Sequence, residues 1–423
     1  MPSPPDNELQ ALRTAADGGD PEALFHLGAA MVSQQRMDEA FALYLRAAEG
    51  GHGNAQVELA RMFLYGIPCN ADPATAVQWL LRAEASGHPV ASYYLALIAL
   101  GDVALPRDHR INERLRIAID AGYSPALRAG AIHFGRKPHP DDQALCLRLL
   151  QGAAANGDAI AACLLAERLA NGEGTLADVT AATALRAQAS TQGTPLLPTI
   201  SAGMPLQLPA APRQLALDDA LAPPPMTVLS EHPRIAMVDG LLSKDECRLL
   251  IATAQPGLRA SHTVDPDTGL PIALPLRTSS DASLDPVLED IALRVLQLRI
   301  CAAAGIDLPQ AEHLIVLRYE PGEQYRPHRD YLPPGRIERD RPQAGNRVRT
   351  ICVYLNDVEA GGETEFMLAD VKIAPKAGAA VVFDNLKQDG SPDADSLHAG
   401  LPVERGVKWL ATLWLRQGRY RDF

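Results

Sequence analysis

Five glycine-centred turns recur along the first half of the chain: Gly19-Asp20, Gly51-His52, Gly87-His88, Gly122-Tyr123 and Gly157-Asp158. Their spacings are 32, 36, 35 and 35 residues. Each is followed by an alanine-rich stretch of helical periodicity: Glu22 to Val32, Ala55 to Tyr65, Ala91 to Leu100, Ala126 to Phe134 and Ala159 to Ala170. A second helix then follows, as in Asp38 to Glu49 and Pro73 to Ala85. A period in the thirties made of helix–turn–helix units predicts an α-solenoid. One such unit cannot bury its apolar face alone, but five stacked units share a continuous core. Alanine lets paired helices approach closely, and glycine suits the left-handed turn that ends a second helix.

The Gly-polar-x-x-Ala pattern resembles Sel1-like repeats, relatives of tetratricopeptide repeats, over residues 6–190. That resemblance implies a surface that binds a protein partner or peptide; support of the rest of the chain, or dimerisation, is the competing reading. No cluster of chemistry-bearing residues lies in this half. Its histidines up to His133 fall one per repeat or between repeats, and His139, between two prolines, reads as loop.

With 423 residues and 47% hydrophobic content, the chain is too long for one core and is expected to form two domains. Prolines 195, 198, 205, 209, 212, 223, 224 and 225 mark residues 191–225 as an extended linker or strap, with a second domain over 226–423. The formal net charge is −12, and no overall basic face stands out, which argues against a nucleic-acid partner. The local exception is Arg336, Arg339, Arg341, Arg347 and Arg349. These read either as a solvated loop or as a mobile flap that closes over a site. Six cysteines without a C-x-x-C pair read as reduced core residues. The N-terminus lacks the basic start and apolar run of a secretory signal, and no stretch of about 18 apolar residues is present to span a membrane. A cytoplasmic protein is the expectation.

The second half carries the chemistry. Helices are expected at Ser243 to Ala254 and Pro286 to Ala303. Short strands follow at Leu314 to Arg318, Arg349 to Leu355, Val371 to Ile373, Ala379 to Asp384 and Lys408 to Arg416. Side chains alternate along a strand, so His328 and Asp330 can face one metal while Arg329 faces away. His398 lies 68 residues beyond Asp330 and would reach them from another strand. Two imidazoles and a carboxylate on one face of an Fe(II) ion leave its other face open. No cysteine stands near either motif, which argues against a structural zinc site. After Gly406 the alternation places Lys408, Leu410, Thr412 and Trp414 on one side of a strand, so Lys408 is expected to point inward. A buried ammonium needs an anionic partner.

Several ordered motifs then resemble the 2-oxoglutarate- and Fe(II)-dependent dioxygenases of the prolyl 4-hydroxylase type, from about Ile235 to Arg416. They are Leu241-Leu242-Ser243-Lys244-Asp245-Glu246-Cys247, Arg277-Thr278-Ser279-Ser280, Arg318-Tyr319-Glu320-Pro321-Gly322, Arg349-Thr350 through Tyr354-Leu355-Asn356, Gly361-Gly362-Glu363-Thr364, and His398-Ala399-Gly400 with Lys408-Trp409. The resemblance implies a double-stranded β-helix (jelly roll) with flanking helices. It makes His328, Asp330 and His398 the iron ligands and Lys408 the partner of the 2-oxoglutarate side carboxylate. Tyr319, Tyr354 and Thr412 become further co-substrate contacts. The implied cofactors are Fe(II), 2-oxoglutarate and O2, with ascorbate as an additional candidate. Asp330 favours hydroxylation over halogenation, since halogenating relatives lack this carboxylate. The implied substrate is a protein or peptide, hydroxylated at proline. The rivals are hydroxylation of a small molecule such as a free amino acid, and a non-catalytic scaffold that senses iron, oxygen or 2-oxoglutarate. A nucleic-acid demethylase is disfavoured by Lys408, because those relatives use arginine.

Overall fold

The protein is described by a computed structural model covering residues 6–192, 214–261, 263–264, 271–272, 277–333 and 335–421. Helices fill residues 6–192, in pairs such as Pro21–Ser33 with Met37–Glu49 and Gly53–Tyr65 with Pro73–Ala85. All five turn glycines adopt positive φ, between 73° and 88°. Polar caps start the helices that follow: Asp20 accepts from the Ala23 amide at 3.1 Å and Asp158 from the Ala161 amide at 2.8 Å. Close packing explains the small residues. A Cβ on Gly28 would lie 2.6 Å from the Tyr44 ring. His139 lies in the loop as expected, and there its Nδ1 accepts from the Asp141 amide and caps helix Pro140–Ala155.

The chain folds as two compact units, one ending at Gly130 and the other comprising Ala131–Pro195 and Ala216–Arg421. Compactness therefore divides the helical array itself, and its last helices belong to the same unit as the sheets. Residues 193–213 of the proline-rich stretch lie outside the described residues. No helix among the described residues is long and apolar enough to cross a membrane.

The second unit holds the expected jelly roll. An eight-stranded antiparallel sheet runs in the order Met226–Glu231, Arg234–Val238, Ala380–Asp384, Arg347–Tyr354, Lys408–Arg416, Ile315–Tyr319, Ser280–Ser283, Arg259–Ala260. A four-stranded sheet runs Val371–Ile373, Thr364–Phe366, His398–Gly400, Tyr325–His328. One core takes Leu317, Val381 and Phe383 from the first sheet and Phe366 and Ile373 from the second. Helix Lys244–Ala254 starts with a capping box, Ser243 and Glu246 exchanging hydrogen bonds. The helix expected from Pro286 begins later. Pro286–Leu288 is a separate 3₁₀ turn, and the Asp290 side chain caps helix Ile291–Ala304. The strand expected from Arg349 begins two residues earlier, so Arg347 leaves the arginine-rich loop for a central strand.

Within this unit, ion pairs join the last helical pair to the sheet domain's first helix. Arg168 donates through Nε to Asp245 at 2.8 Å, and Arg248 donates to Glu173 at 2.6 Å. Arg168 and Asp245 are both buried, so removing one strands the other's charge. Asp245→Ala should destabilise the protein by about 3–5 kcal/mol in urea unfolding, while Arg168→Met with Asp245→Leu should recover most of that loss.

Candidate metal and co-substrate site

The site is built where the four-stranded sheet's last two strands pair. His328 ends strand Tyr325–His328, and His398 begins strand His398–Gly400 directly opposite it. Each ring is fixed by its Nδ1, which donates to a backbone carbonyl: Arg326 at 2.8 Å for His328, and Ser396 at 3.0 Å for His398. Both Nε2 atoms are left to face Asp330, at 3.6 Å from its Oδ1 and 3.8 Å from its Oδ2 respectively. One donor atom from each of the three residues lies within 4.8 Å of the others. Asp330 reaches this point from just beyond the strand, not from within it, and Arg329 is exposed, as alternation implied.

The electrostatics suit metal binding. Burial works against the Asp330 carboxylate, but its contact with His328 and the charges around it, Arg347 included, hold it well below the usual carboxylate range. Burial, with His328 beside it, pushes His398 down to about 4, so near pH 7 it is a neutral imidazole with a free lone pair. Neutral imidazole and carboxylate are the donors a divalent first-row ion takes, and the three here can all bind from one side.

The other side opens on a cavity. Lys408, Leu410, Thr412 and Trp414 line it together, as their alternation along one strand required. Lys408 is 2% exposed. Its Nζ donates to the Gly362 carbonyl at 2.6 Å and sits over the rings of Tyr319 and Tyr354 at 5.4 and 5.7 Å. No carboxylate pairs with it among the described residues, and burial pushes its pKa down to about 8. Tyr319 also lines the cavity. Tyr354 stands behind the wall, where its hydroxyl donates at 2.8 Å to Thr364, which does line it.

Other lining residues were less legible. Tyr325 stacks on His328 with ring centroids 3.4 Å apart, although the two are three positions apart on the strand. The cause is a bulge: Tyr325 pairs with Gly400 and His328 with His398, so three steps on one strand match two on the other. Outside the cavity lining, Arg347 from the arginine-rich run packs over the ring of Trp414 at 3.8 Å and pairs with Glu312 at 2.7 Å.

The sequence profile of the 2OG-Fe(II) oxygenase superfamily matches residues 314–416, and that of the Sel1 repeat matches 21–52, 53–88 and 159–193. Among curated relatives, "Probable prolyl 4-hydroxylase 3" of Arabidopsis thaliana is 35% identical over 213 residues, covering 46% of this chain and 73% of that protein. "Prolyl 4-hydroxylase 1" of the same plant is 36% identical over 204 residues, covering 45% and 71%. Among solved structures, the viral collagen prolyl hydroxylase of Paramecium Bursaria Chlorella virus-1 in its 2OG complex is 27% identical, with a TM-score of 0.34. The match covers 43% of this chain and 95% of that one.

The lysine's burial has a measurable consequence. The folded chain holds the Lys408 proton less tightly than the unfolded chain, so between about pH 8 and 10.5 the unfolded state binds more protons and stability rises with pH. Below about pH 8 the full penalty is present, about 3 kcal/mol for a drop from 10.5 to about 8. Lys408→Met should therefore stabilise the ligand-free protein at pH 7 by an amount of that order. In denaturant titrations, the difference from wild type should vanish above about pH 10.5.

Proposed function

The chain belongs to the prolyl 4-hydroxylase family of 2OG-Fe(II) oxygenases, and from this we propose that it hydroxylates proline in a protein or peptide substrate, using Fe(II), 2-oxoglutarate and O2. The observation that carries the reading is the convergence of His328, Asp330 and His398 on one point at the wall of a cavity, with one buried lysine in the same cavity. On this reading those three residues hold the iron. With its co-substrate and oxygen, the bound iron supplies the oxidising power that puts one oxygen atom into a substrate C–H bond and the other into succinate, with loss of CO2.

The protein's own part is geometric and electrostatic. The Nδ1 bonds of both histidines fix the tautomer and turn Nε2 inward. The Lys408 ammonium, with one donor spent on Gly362, offers its remaining protons to the far carboxylate of 2-oxoglutarate. That anion also restores the charged form of a lysine that burial otherwise weakens. Thr412 and Tyr319 stand beside it as further hydrogen-bonding groups. Leu317, Leu410 and Trp414 form the apolar wall that keeps water from the reacting centre.

The repeats, on the same proposal, recruit the protein substrate or a partner. Six unpaired cysteines, four of them buried, support a reducing cytoplasmic setting. Ascorbate as an accessory reductant stays with the reading as an expectation.

Purified protein given Fe(II), 2-oxoglutarate and proline-containing peptides should release succinate and add one oxygen to the peptide, detected by mass spectrometry. His328→Ala or Asp330→Ala should abolish turnover while helical content is kept. Lys408→Ala should raise the 2-oxoglutarate requirement by about two orders of magnitude, the worth of a charge-assisted hydrogen bond of about 2–3 kcal/mol. Succinate release driven by free amino acids and not by peptides would replace the peptide reading with the small-molecule one.

A further inference from the structure

Asp330 is not held by a strand, so something else must orient its carboxylate. Thr350 Oγ1 lies 2.8 Å from Asp330 Oδ2, and Asn385 Nδ2 lies 2.8 Å from the same Thr350 Oγ1. Thr350 and Asn385 are both 0% exposed. Their backbones are fixed independently. Thr350 pairs with Phe383 and Trp414 in the eight-stranded sheet, and Asn385 donates its amide to the Val348 carbonyl and accepts from the Asp393 amide, both at 2.9 Å.

The proton inventory sets the direction of this chain. An ionised carboxylate only accepts, and the amide nitrogen of Asn385 only donates. A hydroxyl owns one proton, so Thr350 accepts from Asn385 and gives its proton to Asp330 Oδ2. We propose that the Asn385–Thr350 relay is a positioning device: by engaging Oδ2 it fixes the plane of the Asp330 carboxylate, so that the group is already oriented toward both His Nε2 atoms when a metal arrives. This rests on the assignment of Asp330 as a ligand, and it gives roles to two residues remote from the His-x-Asp motif.

Co(II), whose visible absorption reports coordination, serves as the probe in titrations of the full-length protein without 2-oxoglutarate. Thr350→Val keeps the shape and removes the proton, and should weaken Co(II) binding by about tenfold to a hundredfold and alter the spectrum. Thr350→Ser restores the hydroxyl and should recover most of the affinity; a purely packing role for Thr350 would leave the serine variant as weak as the valine one, and would overturn the relay. Asn385→Ala leaves the hydroxyl in place but unanchored and should fall between wild type and T350V; if T350V does not fold, N385A equal to wild type overturns the proposal. Asp330→Ala separates the two levels. Wild-type affinity in T350V with loss in D330A sinks the relay alone, and wild-type affinity in D330A sinks the ligand assignment beneath it.

Discussion

The site depends on one register, that of strand Tyr325–His328 against strand His398–Gly400. A strand slipped by one residue turns its side chains to the opposite face, so a slip here would separate the two imidazoles completely. The neighbouring ladder pins the register, since Phe366 faces His398 and Thr364 faces Gly400 on the far side. Phe366 and Phe383 are fully buried against the His398 ring, tying the alignment to the core itself. Breaking the register would mean breaking the core.

Around that register the protein sets two opposed electrostatic conditions within one cavity. Asp330 is held as an anion despite its burial, whereas Lys408 is pushed toward neutrality by its own. The difference is one of partners. Asp330 has imidazoles, the Thr350 hydroxyl and Arg347 nearby, while Lys408 has a carbonyl and two ring faces. A buried charge short of counter-charge is what a site looks like when its complement arrives with the ligand. The arrangement favours an occupied site over an empty one, and stability is given up for binding.

Much of this was legible in the sequence because it follows from chemistry that tolerates little substitution. The glycine period needs positive φ at five turns, and the alternation from Lys408 to Trp414 places four residues on one wall. The His-x-Asp pair and the distant histidine were readable as donors of the right kind. What escaped was set by tertiary geometry. The bulge that lays Tyr325 on His328 breaks the period of two. Arg347 looked like part of a charged loop until Glu312 and the ring of Trp414 gave it a half-buried place in a strand. Asp290 stopped a helix that composition would have run back to Pro286. Thr350 was visible only as part of the Arg349-Thr350 motif, without a role, and Asn385 carried no local signal.

The last helices of the repeat array and the sheets that carry the candidate site share one compact unit. These helices are fastened to helix Lys244–Ala254 by the Arg168–Asp245 and Arg248–Glu173 pairs, on buried and half-buried side chains. That helix in turn is anchored by Glu246, which accepts from the buried Arg299 of helix Ile291–Ala304. Charge pairs of this kind tolerate only one geometry, unlike an apolar contact that can slide. A segment of substrate bound on these last helices would be held at a set position relative to the cavity. Tethering of that sort converts capture into a high local concentration at the reacting centre. On the proposal that the repeats recruit substrate, such a gain would depend on the stiffness of the connection that these ion pairs make.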